Sequence, residues 1–263
     1  MFEKRKSKFA ILQFMMILLI IGCTPSAVEH ENPEIEHNDS LAVQIVNKSI
    51  RAHGGMQNWL RTKAVSYKKT IIFFDSIGNK ESRTVQFHHY QLNPDLSGQI
   101  SWTTAHDSIS IFYKDNRGVK FINGIVQTDP KDSASARAIM LSSYFVLFQP
   151  WKLMDSEVNL EYLGRFELED GQLVEGIKAT FGEYNRGDDR WWFYFDVNSD
   201  RLVANMVNHL DHYSFIKNLE YDTTSALVFN RYRKSFFVDS LRHIDYLRAE
   251  YYYEDFDLEL ANQ

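Results

Sequence analysis

The chain alternates apolar and polar residues with a period of two over most of its length, and this pattern restricts the fold more than any other feature. A period of two sends successive side chains to opposite faces, as in a half-buried β-strand. Dipeptides such as Asn93-Pro94 and Asp170-Gly171 separate the segments and favour tight turns. The pattern predicts an antiparallel meander with strands over 65–75, 80–92, 99–105, 108–114, 119–122, 159–163, 165–169, 173–181, 190–197, 202–209, 214–221, 228–237 and 245–256.

Two segments have helical spacing instead. Apolar residues recur every three to four positions over 41–53, where Asp39 or Ser40 can cap the start and Gly54 can adopt the left-handed conformation at the end. The second segment, 132–148, is rich in alanine and aromatic residues. Because it is apolar over much of its circumference, we expect this central helix to be buried against the sheet.

The N-terminus has the composition of an export signal. A basic start is followed by an apolar run over 9–21, which is shorter than the roughly 20 residues needed to span a bilayer. The run ends in Leu19-Ile20-Ile21-Gly22-Cys23, which resembles the lipobox of bacterial lipoproteins. That resemblance implies cleavage after Gly22 and a lipid on the sulfur of Cys23, the only cysteine in the chain. An ordinary signal peptide with a chance cysteine is the alternative.

The chain after the predicted signal peptide (1–22) divides into two parts. The acidic segment 23–38 contains two prolines and few apolar residues, which predicts a disordered tether, and 39–263 is expected to form a single domain. Removing 1–22 takes away four of the 29 basic and one of the 35 acidic residues, which leaves a formal charge of −9. A domain this acidic is not expected to bind nucleic acid. We expect a protein of the cell envelope, attached to the outer membrane through its lipid, on the periplasmic or the surface face.

The order of elements resembles the LolA/LolB superfamily of lipoprotein carriers. The segment 192–203, an aromatic strand with an Asp-containing turn and a return strand, looks like a hairpin of that group. His53-Gly54-Gly55 with Trp59, and the later segment 148–153, are similar to uncharacterised Bacteroidetes-type lipoproteins with a LolA-like domain of unknown function. The resemblance implies a mainly β (α+β) fold, with a curved antiparallel half-barrel sheet and an N-terminal and a central helix packed on its concave face.

The segment most informative about function is Trp191-Trp192-Phe193-Tyr194-Phe195, which is apolar on both faces of a predicted strand. An ordinary half-exposed antiparallel strand alternates with polar residues. One face must pack on the central helix, and the other needs a second cover. Either the aromatic core is thick, or a lipid-like or other hydrophobic ligand occupies a groove. The candidate ligand-binding residues are Trp191, Trp192, Phe193, Tyr144, Phe145 and Phe148.

Several polar motifs have both a functional and a simpler structural explanation. The segment 196–200 begins like a calcium loop but lacks the glycine and glutamate that follow in such loops, which favours an Asx turn. His209-Leu210-Asp211-His212 offers zinc-ligand types at a predicted strand end, where a surface turn is simpler. His88 and His89 point to opposite faces of one strand and cannot chelate one ion. His53 ends a helix, where a cation complements the helix dipole. We predict no metal and no cofactor.

These features predict a non-enzymatic lipoprotein that binds a hydrophobic ligand in the groove of a half-barrel, with the membrane as its partner through Cys23. No standard catalytic, phosphate-binding or dinucleotide-binding string occurs in the sequence. One alternative is an envelope hydrolase that uses His53, His209 and acidic residues. A second alternative is a structural or interaction protein whose partner surface is the exposed strand edges.

Overall fold

The computed structural model describes residues 39–181, 189–209 and 212–261. The predicted signal peptide (1–22), the predicted lipidation site Cys23 and the predicted tether (23–38) lie outside these residues. Within the described ranges, no helix combines the length and the hydropathy needed to cross a membrane.

The described residues form a single antiparallel sheet of 13 strands with helices on its concave face. The helices are α1 (Ser40–Ala52), α2 (Met56–Arg61), α3 (Pro130–Leu147) and a 3₁₀ helix (Trp151–Met154). The strands are β1 (Thr62–Phe74), β2 (Lys80–Gln91), β3 (Ser97–Thr103), β4 (Ser108–Lys114), β5 (Arg117–Ile122), β6 (Ile125–Val126), β7 (Val158–Glu167), β8 (Leu173–Phe181), β9 (Arg190–Asp196), β10 (Leu202–His209), β11 (His212–Asp222), β12 (Phe229–Val238) and β13 (Ile244–Leu260). The predicted mainly β fold with a curved half-barrel sheet is confirmed.

The sheet consists of two meanders that are joined at the middle. Its strand order is β6-β5-β4-β3-β2-β1-β13-β12-β11-β10-β9-β8-β7, so only the β1–β13 pair connects strands that are distant in sequence. Because β6 and β7 lie at opposite edges, the segment between them must cross the whole sheet. That segment contains α3, and its position on the concave face follows from this connection.

Helix α3 contacts both halves of the sheet. Near its start it packs on β5 at Gly118, where an added Cβ would lie 2.2 Å from the backbone nitrogen of Arg137. Near its end the Phe145 ring centroid lies 5.3 Å from that of Trp191 and 5.2 Å from that of Phe181. The predicted packing of the central helix against the sheet is therefore confirmed, although Ile139 stays exposed on its outer side.

The local signals for α1 act as predicted. The side chain of Asp39 accepts a hydrogen bond from the backbone N–H of Leu41 at 2.8 Å. After the helix, Gly54 has a φ of +105°, and a Cβ there would lie 2.3 Å from the carbonyl oxygen of Ala226. Only glycine combines this backbone conformation with such a close approach of the chain before β12.

Three details of the structure differ from the sequence prediction. The predicted strands 159–163 and 165–169 form the single strand β7, because a bulge between Tyr162 and Gly164 absorbs the break in periodicity. The two-residue strand β6 and the 3₁₀ helix were not predicted. Both are too short to produce a periodic signal.

Candidate functional site

Strand β9 divides the predicted ligand-binding residues between the two faces of the sheet. Trp191 and Phe193 lie on the concave face and belong to the main core, together with Tyr144, Phe145 and Phe148. Trp192 belongs instead to a second cluster on the outer face. Five of the six candidates therefore share one side of the sheet, and Trp192 does not join them.

The outer face of β9 is covered by the protein itself. The second cluster contains Leu168, Val174, Tyr194, Val203, Ala204, Met206, Phe215 and Val238, with Phe166, Trp192, Tyr213 and Phe236 at its margin. The guanidinium carbon of Arg242, in the loop before β13, lies 4.9 Å from the ring centroid of Phe166 and 5.6 Å from that of Tyr194. The second apolar face of this strand is thus explained by a second core.

The concave face is filled at the end that adjoins α1 and α2. Phe148, Trp151 and Phe229 are fully buried there. The Trp59 ring stacks on Trp151 with a centroid distance of 5.6 Å and lies 5.0 Å from Phe148. We call this region, defined by His53, Trp59, Phe148, Trp151 and Phe229, the closed end.

His53 is a structural element of the closed end. The backbone N–H of Leu202 donates to its Nε2 at 3.2 Å, so its Nδ1 carries the proton and donates to the Val228 carbonyl at 2.9 Å. Burial lowers the pKa of His53 to about 4; the hydrogen bond to Val228 opposes this shift and the charge of Arg201 adds to it. The side chain is neutral at pH 7, and the predicted role as a cation at the helix end is wrong.

His53 and His209 do not form one catalytic site. His53 is bonded to Leu202 at the start of β10, whereas His209 is the last residue of that strand. Seven residues at about 3.3 Å each separate the two positions by roughly 23 Å. Both ring nitrogens of His53 are already occupied, while His209 is exposed beside Asp189. The arrangement does not supply the histidine pair that the hydrolase alternative needs.

The opposite end of the concave face is less completely covered, and we call it the open end. Its members are apolar side chains that share the concave face and are all partly exposed: Ile71, Phe73, Trp102, Ile109, Ile122, Val207, Ile216 and Tyr251. The register links them, since Ile71 lies opposite Tyr251 and Trp102 lies opposite Ile109. Concave apolar surface that remains accessible is the usual setting of a hydrophobic ligand.

A band of polar side chains crosses the concave face between the two ends. The Arg233 Nε donates to Asn218 Oδ1 at 2.7 Å, and its Nη2 donates to Asn205 Oδ1 at 2.6 Å. On β1, the Lys69 Nζ lies 5.3 Å from the ring centroid of Tyr251 and 5.4 Å from that of Tyr253. In the sequence these residues look like ordinary polar positions of alternating strands, so periodicity does not single them out.

The polar band continues to His88 on β2. The His88 Nε2 donates to Gln86 Oε1 at 3.0 Å, and the Tyr67 hydroxyl lies 3.0 Å from His88 Nδ1. Burial and the charge of Lys69 hold the pKa of His88 well below its usual value. His89 lies on the outer face, 2.9 Å from the Ser66 hydroxyl, which confirms that the two histidines point in opposite directions.

A separate groove of about 330 Å³ lies on the outer face of β1, β2 and β3. It is lined by polar side chains and by Phe87, which is 60 % exposed. An ion pair between Lys68 and Asp255 at 2.9 Å crosses its margin. The groove is open to solvent and most of its lining residues carry polar groups, so an amphipathic molecule fits it better than a purely apolar one does.

The acidic turn after β9 is an Asx turn. The Asp196 Oδ1 accepts hydrogen bonds from the backbone N–H groups of Asn198 and Ser199 and from the Ser199 hydroxyl. Among the described residues, no group of three or more acidic, histidine or cysteine side chains is arranged to hold a metal ion.

The sheet, the crossing helix and the concave face together define a LolA-like half-barrel. A LolA superfamily protein from Nitrosomonas europaea aligns over 83 % of this chain and 93 % of its own, with a TM-score of 0.55 and 9 % identity. A domain assigned to outer membrane lipoprotein sorting, from Vibrio parahaemolyticus, aligns over 85 % and 94 %, with a TM-score of 0.51 and 7 % identity. A DUF1329 family protein from Desulfovibrio piger aligns over 84 % and 95 %, with a TM-score of 0.53 and 8 % identity.

These similarities confirm the expected LolA-like fold. At such low identities they show the fold alone. No family model and no curated protein matches the sequence. The expected Bacteroidetes-type source stays a prediction.

Proposed function

We propose that this protein is a non-enzymatic envelope lipoprotein that binds a lipid-like or other hydrophobic ligand at the open end of the half-barrel. One observation carries the proposal: apolar side chains of the concave face, such as Ile71, Trp102 and Tyr251, stay partly exposed. A ligand that covers them gains roughly 25 cal/mol for each Å² of apolar surface removed from water, before ordering costs.

The candidate residues chosen from sequence have different roles in this proposal. Tyr144 is partly exposed and can contact the ligand directly. Phe145, Phe148, Trp191 and Phe193 are buried and form the wall behind it. Trp192 lies on the outer face and is not part of the proposed site.

The proposed location rests on the N-terminal sequence and agrees with the fold. Lipidation of Cys23 would attach the domain to the membrane through the acidic segment 23–38. One structural neighbour is assigned to outer membrane lipoprotein sorting. These observations support the proposal that the protein lies in the cell envelope, at the outer membrane, with access to lipid or lipidated molecules.

The strand edges give less support to the interaction alternative. On β7, the backbone N–H of Asp39 donates to the Leu160 carbonyl at 3.1 Å, and the Asp39 carboxylate accepts from the backbone N–H of Tyr162 at 3.3 Å. The other edge, β6, is only two residues long. Occupied or very short edges are poor templates for adding a strand from a partner.

Photo-crosslinking tests the proposed site. The full chain is placed in lipid nanodiscs with a trace of an uncharged alkyl probe that carries a diazirine, and labelled peptides are identified by mass spectrometry. We expect label at open-end residues such as Trp102 and Ile109, and at least a fivefold lower yield in Ile71→Asn. Ile72→Asn is the matched control, because Ile72 is the adjacent residue on the outer face of β1. Label confined to 1–38, or found equally on outer residues such as Phe87, would contradict the proposal.

A further inference from the structure

Two basic side chains are buried in the middle of the concave face. Lys69 on β1 is 9 % exposed and Arg233 on β12 is 3 % exposed. Both strands are immediate neighbours of β13, which lies between them. The two residues are 164 positions apart in sequence, so only the β1–β13 pairing brings them to one place.

The partners of this buried cation pair are neutral. Arg233 donates to the amide oxygens of Asn205 and Asn218, and Lys69 lies against the rings of Tyr251 and Tyr253. Among the described residues, no carboxylate forms an ion pair with either cation. Removing a charge from water costs several kcal/mol unless an opposite charge or full hydrogen bonding offsets it.

The adjacent lysine on the same strand shows the contrast. Lys68 lies on the outer face, where it pairs with Asp255 at 2.9 Å and with Glu254 at 3.3 Å. Two carboxylates thus pair with Lys68 on the outer face, whereas no carboxylate of the described residues pairs with the buried Lys69. An interior that concentrates positive charge without a counter-ion is suited to an anion that arrives with a ligand.

The pKa of the Tyr253 hydroxyl reflects the positive charges of Lys69 and Arg233. Burial alone would raise the pKa of its hydroxyl, but the charges of Lys69 and Arg233, with their hydrogen bonds to it, outweigh burial and lower the pKa. Other buried tyrosines shift the other way, since burial raises the pKa of Tyr90 and Tyr144. The positive charges of Lys69 and Arg233 therefore favour the ionised form of the hydroxyl at this position.

We propose that Lys69 and Arg233 bind the single anionic group, a carboxylate or a phosphate, of an amphiphile whose alkyl chain lies along the open end. The position of the two cations determines the direction in which the alkyl chain of the ligand extends. From Lys69, β1 continues through Ile71 to Phe73 on the same face, and four residues at about 3.3 Å span roughly 13 Å of apolar surface. Towards the closed end, Tyr67 and His88 fill the space, so the chain extends only towards the open end. This inference rests on the proposed function and specifies the ligand class of the same site.

Calorimetric titration of the full chain in nanodiscs with three matched ligands tests the inference. Decanoate, decyl phosphate and decanol share one alkyl chain, and only the first two are charged. We expect both anions to bind at least tenfold more tightly than decanol. Lys69→Met should lower anion affinity at least tenfold and leave decanol within twofold, whereas Lys68→Met, its neighbour on the outer face, should change neither. The tighter of the two anions identifies the head group.

The outcomes separate this inference from the proposed function. If decanol and the anions bind equally well to the unsubstituted chain, the cation pair does not recognise charge, while the hydrophobic site stands. Unchanged anion affinity in a folded Lys69→Met variant would also overturn the inference. If none of the three ligands binds, the proposed function itself fails. The comparison of ligands on the unsubstituted chain remains decisive if a variant does not fold.

Discussion

The closed and open ends of the concave face have similar apolar composition but different surroundings. At the closed end, α1, α2 and the 3₁₀ helix bring His53, Trp59 and Trp151 into a continuous aromatic core with Phe148. At the open end, residues of equal hydrophobicity, such as Trp102, remain partly exposed. The sheet carries apolar side chains along its whole concave face. The helices bury the side chains of the closed end, which stabilise the fold, and leave those of the open end accessible to a ligand.

The largest difference between the two ends should appear when an aromatic ring is truncated. Phe148→Ala removes a fully buried ring at the closed end and should lower the free energy of unfolding by about 3–5 kcal/mol. Chemical denaturation of the full chain measures this change. Loss of less than about 1 kcal/mol would mean that the closed end is not the stabilising core.

Acidification should weaken the closed end through His53. Its pKa is about 4 in the folded state and 6.5 as a free side chain, so the unfolded state binds more protons between these values and the free energy of unfolding falls as pH falls. The full difference is about 3 kcal/mol, lost between pH 6.5 and pH 4. Denaturation curves across this window measure the slope.

A histidine substitution distinguishes the contribution of His53 to the pH dependence of stability from that of other titratable groups. The pKa of His88 is also lowered by burial and by Lys69, so His88 adds a loss of the same sign. We expect His53→Gln to be less stable at pH 7 and to show a shallower pH slope than the unsubstituted chain. His209→Gln, at an exposed position, is the matched substitution of a second histidine. An unchanged slope in His53→Gln would contradict the assignment of a buried neutral imidazole.

A substitution beneath α3 should show how firmly the helix is held on the sheet. In Gly118→Ala, the new methyl group would meet the backbone of Arg137 and Ser133, so α3 must shift away from β5. We expect a loss of about 1–3 kcal/mol, typical of overpacking. Val119→Ala, at the neighbouring exposed position, is the control. Equal stability of both variants would show that α3 can move on the sheet at little cost.

The smallest effect on stability should come from the open end. Trp102→Ala truncates a partly exposed ring and should lower the free energy of unfolding by about 1 kcal/mol. The same variant should reduce labelling by the uncharged diazirine probe at least fivefold. A large loss of stability with unchanged labelling would reverse the roles assigned to the two ends.

Local patterns predicted most elements and several side-chain directions. The period of two identified 12 of the 13 strands, although the bulge at Gly164 made β7 look like two. The position before a helical repeat predicts Asp39 or Ser40 as the cap of α1, and the cap in the structure is Asp39. The opposite directions of His88 and His89 follow from pleating alone. These features depend on residues that are close in sequence, so a local signal is sufficient.

The functional details depend on contacts that local patterns do not encode. His53 looked like a helix-end cation, but burial against segments far along the chain lowers its pKa and keeps it neutral. Trp192 looked equivalent to Trp191, and the outer cluster with Arg242 separated their roles. Long-range packing sets burial and charge environment, and these set the pKa and the accessibility of each side chain.

The sequence by itself determined a strand-rich domain with one long helix between two meanders, because hydrophobic periodicity and capping act within a few residues. It also predicts an export and lipidation signal that ends at Cys23, and this stays a prediction. The tertiary structure decided that β1 pairs with β13, and this pairing places Lys69 beside Tyr253, on a strand whose other edge pairs with the strand of Arg233. Which distant strands pair depends on how the whole sheet packs around its core, so this pairing cannot be predicted from any single segment.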